Sequence, residues 1–151
     1  MYTAFDVAKW FINELHPEPL KLQKLLYLAQ GFSFAFNDKQ LFEDEIEAWV
    51  HGPVVKSVYN IYKDYKYNPI MINYELIEFD EDTTSVLNYV KNNFSKYDSK
   101  YLEEMSHQQE PWILSREGLD PDERSDKTIS KLSLANYFSN YINQPDLEDW
   151  N

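Results

Sequence analysis

Apolar residues recur at helical spacing from the start of the chain. Ala4, Val7, Ala8, Phe11 and Leu15 repeat every three to four positions, so a first helix is predicted over 4–15. Thr3 and Asp6 match a capping box, with Asp in place of the usual Glu. Pro17 ends the helix, because it disfavours the helical region for His16. A second helix opens at Pro19, a good first-turn residue since the missing N–H has no partner there. Leu22, Leu25, Leu26, Ala29 and Phe36 form its apolar stripe, with Lys21 and Lys24 on or near the other face. Gly31 interrupts that stripe and predicts a close helix contact. Asn37-Asp38-Lys39 reads as a turn. Glu45–Val50 alternates acidic and apolar residues and predicts a short strand, which Gly52-Pro53 breaks. Pro53 is expected to launch a third helix running to about Tyr65. After Asn68-Pro69, the alternation of Ile70, Ile72, Tyr74 and Leu76 predicts a second strand or hairpin arm over 70–79.

The second half reads as helices joined by polar turns. Asp82-Thr83 can cap a fourth helix carrying Val86, Leu87, Val90 and Phe94 on one face. Ser99 can cap a fifth, to about His107, and Pro111 can begin a short helix to about Glu117. Residues 117–127 have Leu119 as their one aliphatic side chain and read as an exposed loop. A last helix over Ser130–Ile142 turns Leu134, Tyr137, Phe138 and Tyr141 inward. The expected fold is α+β: a mostly helical single domain over 1–143 with a small antiparallel sheet, followed by an acidic tail over 144–151.

Composition supports a folded core. The 151 residues include 25 aromatics (12 Tyr, 9 Phe, 4 Trp), which argues against disorder despite a net charge of -12. That charge disfavours generic nucleic-acid binding and anionic membranes, and points toward a basic partner, usually a protein. It is uneven: residues 1–75 hold 7 basic and 10 acidic groups, residues 76–151 hold 7 and 16. The absence of cysteine excludes disulfides and thiolate chemistry. No signal peptide or apolar run of transmembrane length is evident, so a cytoplasmic protein is expected.

Three stretches carry candidate function. In Lys21–Gly31 (KLQKLLYLAQG), Lys21 and Lys24 could pair with Glu43-Asp44-Glu45. In Ala48–Tyr59, a strand ending at His51 and a helix starting at Pro53 would leave the N–H groups of Val54 and Val55 free, a terminus able to hold an anion or a partner's side chain. Trp49 reads as core. In Ser106–Trp112 (SHQQEPW), His107 and Glu110 could share a proton, and a buried hydrogen bond fixing the helix junction is favoured over catalysis. No ligand spacing for a metal, no phosphate loop and no nucleophile elbow is present, so neither metal nor cofactor is expected. Tyr59, Tyr62, Lys63 and Lys66 form an aromatic and basic helical face suited to protein contact. With His51, Gly52 and Pro53 they are the expected partner-binding residues; Lys21, Lys24, Trp49, His107, Glu110 and Trp112 are the expected structural motif.

In this order, Pro19–Gly31, Gln40-Leu41-Phe42, Glu47–Val55 with Tyr59, and Lys96–Trp112 resemble the Panacea-domain family, the SocA-like antitoxins and phage-associated GepA-like proteins. The resemblance covers roughly residues 3–142. It departs at Glu18, where the family often has a small hydroxyl cap, and at Met105-Ser106. It implies a non-enzymatic antitoxin that neutralises a toxin encoded by an adjacent gene through direct protein contact, in a family whose toxins are diverse. A proteolytic adaptor delivering the toxin to a protease is the alternative, with a small enzyme using His107 and Glu110 behind it.

Overall fold

A computed structural model of the chain describes residues 1–143. Its organising element is α2 (Pro19–Asn37), in which every residue from Leu22 to Ser33 is buried. An amphipathic helix would keep one polar face in water; α2 has none over these turns, because neighbours cover it on all sides. α1 (Ala4–Leu15), α4 (Glu81–Phe94), α5 (Ser99–His107) and α7 (Lys131–Ile142) pack around it, as does a β-hairpin. Gly31 marks the closest approach: a Cβ there would lie 2.3 Å from the Phe138 ring on α7. Phe32 sits at the centre of an aromatic cluster with Phe94, Phe138, Tyr89 and Tyr141, at centroid distances of 4.8–5.7 Å. Each such ring withdrawn from water contributes roughly 1.5–3 kcal/mol. Phe36, expected in the stripe, is half exposed and stacks on Phe32 from outside.

Helix ends follow local chemistry. The Thr3–Asp6 capping box of α1 is present in both directions, and His16 closes the helix in the left-handed conformation (φ 43°). Two caps lie just before the expected residues. Asp80, not Asp82-Thr83, caps α4 through Thr83 N–H at 2.8 Å. Asp98, not Ser99, caps α5 through Tyr101 N–H at 2.8 Å. α6 spans Glu110–Ser115, and Ser130 caps α7.

The small sheet is antiparallel. β1 (Glu47–Trp49) pairs with β2 (Gly52–Val54), with Ala48 opposite Pro53 and Trp49 opposite Gly52. The expectation that Pro53 starts a helix is therefore corrected. Gly52, at φ 106°, turns the chain back into a second strand, and α3 begins only at Lys56, ending at Tyr62 before a 3-10 turn over Lys63–Tyr65. The outer edge of β1 is also covered: Ala48 N–H donates to Lys127 O (2.8 Å) and Ile129 N–H to Ile46 O (2.7 Å).

Residues 70–77 alternate inward and outward as expected, the pattern breaks at Glu78, and among the described residues the segment pairs with no strand. They form an extended strap across α1, whose backbone groups are already used within the helix. The Asn13 side chain substitutes for a neighbouring strand: its amide accepts from Tyr74 N–H (2.7 Å) and donates to Tyr74 O (2.8 Å). Ile70 N–H donates to Pro17 O at 3.0 Å. Among the described residues no helix is long and apolar enough to cross a membrane.

Candidate functional site

The three notable sequence stretches converge on one side of α2. Gln23, Lys24, Tyr27 and Gln30 are buried there, and each fastens a different segment. Gln23 Oε1 accepts from Val55 N–H at 2.7 Å. Gln30 donates to Phe42 O (2.8 Å) and accepts from Leu41 N–H (2.7 Å). Tyr27 Oη donates to Gln109 Oε1 at 2.7 Å, tying α2 to the α5–α6 junction. A buried amide left without partners costs about 1–3 kcal/mol, so these bonds fix the positions of the loops.

Lys24 is the least expected member. It is 1% exposed, and its ammonium donates weakly to Pro53 O at 3.4 Å. Burial pushes its pKa down from 10.5 to about 7, partly offset by the Glu103 carboxylate. Its stem lies against Gly52: a Cβ on Gly52 would meet Lys24 Cε at 2.7 Å and Ser106 Oγ at 2.9 Å. Glycine at position 52 thus meets both a backbone and a packing requirement. Glu103, itself buried, approaches the exposed His51 imidazole (Oε2 to Nδ1, 3.3 Å). His107 stacks on Trp112 with centroids 4.2 Å apart, and its buried Nε2 has no hydrogen-bond partner among the described residues. Burial lowers the His107 pKa, with Glu103 opposing the shift. Trp112 Nε1 donates to Trp49 O at 2.8 Å, closing the cluster against β1.

Several expected sites are placed otherwise. Neither lysine pairs with Glu43-Asp44-Glu45: Lys21 donates to Ser95 O at 2.6 Å, and Asp44 accepts from Ala4 N–H (2.9 Å) and Ser57 Oγ (2.7 Å). The N–H of Val55 is not free, since Gln23 occupies it. His51 is exposed, but Gly52 and Pro53 are buried. Tyr62 does not lie on an outer face; it is 1% exposed and shares a 2.7 Å hydrogen bond with the Tyr74 hydroxyl, and burial raises its pKa. Lys63 and Lys66 are exposed, and Tyr59 is half-buried against Trp49 at 4.9 Å. Trp49 is itself only partly covered, its indole donating to Glu47 at 2.8 Å. No His107–Glu110 hydrogen bond forms: Glu110 is exposed in the first turn of α6, and the carboxylate near His107 is Glu103, one turn back along α5. The tail over 144–151 lies outside the described residues. Among the described residues no three acidic or imidazole side chains are gathered to hold a metal ion.

Sequence reading missed Arg116. It is 4% exposed; Nη1 donates to Ala48 O (2.9 Å), Nη2 to Asp120 O (3.3 Å) and also to Glu123 O, and the guanidinium lies 5.1 Å from the Trp112 ring centre. A signal existed: arginine occurs twice in a chain with 12 lysines, and only arginine has the planar fork for several carbonyls at once.

This fold and centre define a class: a helical domain built on one sheathed helix, whose polar side chains fasten the surrounding loops. Residues 22–113, well over half of the chain, match the family model "Antitoxin SocA-like, Panacea domain". The chain belongs to that family of SocA-like antitoxin domains. The match opens inside α2 and closes inside α6, so it contains all three convergent stretches except Lys21. No curated protein and no solved structure matches the chain.

Proposed function

We propose that this protein is an antitoxin that neutralises a protein toxin, encoded by an adjacent gene, by direct contact and without chemistry of its own. The family match over residues 22–113 carries the reading. The placement of the motif residues supports it: Gln23, Gln30 and Gln109 bind internal groups, and Lys24 is sealed beneath Gly52. Motif residues of this kind hold a surface in shape and leave recognition to exposed side chains. Of the sequence-predicted partner residues, His51, Lys63 and Lys66 remain exposed and available for contact.

The test is co-expression with the product of the adjoining reading frame. That product alone should arrest growth. Co-expression of this chain should restore growth, and the two proteins should co-elute as a stable complex. A harmless neighbour, or growth arrest that persists with no complex formed, would sink the proposal.

A further inference from the structure

The geometry points to the acidic face around β1 and the α6–α7 cleft as the partner-docking surface, and to a basic segment with an aliphatic anchor as its occupant. This rests on the binding function proposed above and names the surface and partner chemistry for it.

Two distant segments build the face. Residues 43–47 carry four carboxylates and no cation; residues 117–131 carry five carboxylates against Arg124, Lys127 and Lys131. Together they hold a net charge of -6, half that of the chain, in 20 residues. The fold joins them. Thr128 pairs with Glu47 across the β1 edge, and its hydroxyl donates to Glu45 at 3.2 Å.

The loop between α6 and the Thr128 pairing is held at both ends. Arg116 grips its start through the carbonyls of Asp120 and Glu123, and the pairing with β1 holds its end. Because Arg116 binds carbonyl oxygens, it leaves the loop's carboxylates outward and unneutralised. The ion pairs among the described residues are His51–Glu103, Lys91–Glu14 and Lys100–Glu104, and none involves this face. Like charges gathered on a held loop repel one another, and a cationic partner relieves that repulsion without having to order the loop first.

An anchor site lies between the acidic segments, with Glu117 and Lys127 lining one cleft and Asp44, Glu45 and Lys131 the next. A shallow cleft of about 470 Å³ runs between Leu114 on α6 and Ser133 on α7, and a second of about 280 Å³ adjoins it through Thr128 and Ser130. Leu114, which lines the first cleft, is 51% exposed, and Leu132 on α7 is 72% exposed. Exposed aliphatics within a charged rim match the usual anatomy of a protein interface. The loop and α7 also lie beyond residue 113, where the family match ends. One of the two segments that build the face thus lies outside the matched scaffold, while residues 43–47 lie within it.

The test measures affinity for the product of the adjoining reading frame. Three chains are compared with the parent: Asp120→Asn/Asp122→Asn/Glu123→Gln, Leu114→Ser, and Glu75→Gln, an exposed carboxylate on the 70–79 strap, as a control. The triple variant and Leu114→Ser should each weaken binding at least tenfold. Raising salt should weaken the parent more than the triple variant, and Glu75→Gln should stay within twofold. Parent-like affinity in both the triple variant and Leu114→Ser overturns the inference while leaving the antitoxin reading intact. If the adjoining product does not bind the parent, the antitoxin reading fails and a second probe decides the surface: a helical peptide with Lys on one side and Leu on the other, titrated into the labelled protein. Amide shifts centred on Leu114, Thr128 and Leu132 support the docking face. Shifts centred on α3, or spread evenly, overturn it.

Discussion

Replacing Lys24 by methionine isolates the consequence of burying a cation at the centre of the fold. Unfolded, Lys24 holds its proton up to about pH 10.5; folded, it releases it near 7. Between those values the unfolded chain binds more protons, so stability rises with pH. The fall from 10.5 to about 7 corresponds to roughly 5 kcal/mol across the full window. Between pH 7.5 and 9.5 the gain is about 2–3 kcal/mol. One other group titrates in the same sense here: burial also lowers the Lys21 pKa, so part of the rise belongs to Lys21. The His107 pKa is lowered, so its contribution is complete by the start of the window, while Tyr27 and Tyr62 have raised pKa values and begin to matter only above about 10. Methionine preserves length and apolar volume, gives up the 3.4 Å bond to Pro53 O and the attraction to Glu103, and leaves His51 beside Glu103. Urea unfolding at pH 7.5, 8.5 and 9.5 is the assay. The parent should gain stability steadily. Lys24→Met should lose most of that slope, keeping only the share due to Lys21, and at pH 7.5 should be at least as stable as the parent. An equal slope in both proteins would show that Lys24 is not the titrating group, and the account of its burial would fail.

Other changes test the frame around it. Gly31→Ala gains about 1 kcal/mol in helix propensity but drives a methyl into the Phe138 ring, so thermal unfolding should show a net loss of about 1–3 kcal/mol. Arg116→Met keeps the packing on Trp112 but abandons the Ala48, Asp120 and Glu123 carbonyls; stability should fall by about 1–3 kcal/mol, and protease cleavage within residues 117–126 should accelerate. Asn13→Leu removes the surrogate strand partner of Tyr74, and hydrogen exchange at the Tyr74 amide should rise well before that of α2.

Local rules made much of this fold legible. The Thr3–Asp6 box, the close contact at Gly31 and the inward face of α7 depend on residues near in sequence or on one helical period. The errors share a cause: a distant partner decided the outcome. Pro53 can start a helix, yet the edge of β1 claimed it for a strand. The alternation over 70–79 is genuine, but the surface beneath is a helix, and only the Asn13 amide supplies ladder-like bonds. Lys24 follows the polar spacing of an outer face until Gly52, Ser106 and Glu103 close over it. His107 was paired with Glu110, three residues on, because spacing alone cannot show that α5 ends between them and that Glu103 lies nearer. Arg116 could not be placed at all, since its acceptors are backbone carbonyls that carry no side-chain signature.

The sheath around α2 bears on what counts as a unit in this family. Of the helices that enclose it, α1 precedes the family match and α7 follows it, and α7 presents Phe138 to Gly31 and Phe32. A fragment cut to residues 22–113 would expose much of its own axis to water and would lose the base on which the 70–79 strap rests. The stretch by which the family is identified is therefore smaller than the cooperative unit that folds. Partner swapping by grafting must move the flanking helices with the motif, or the graft will lack a core.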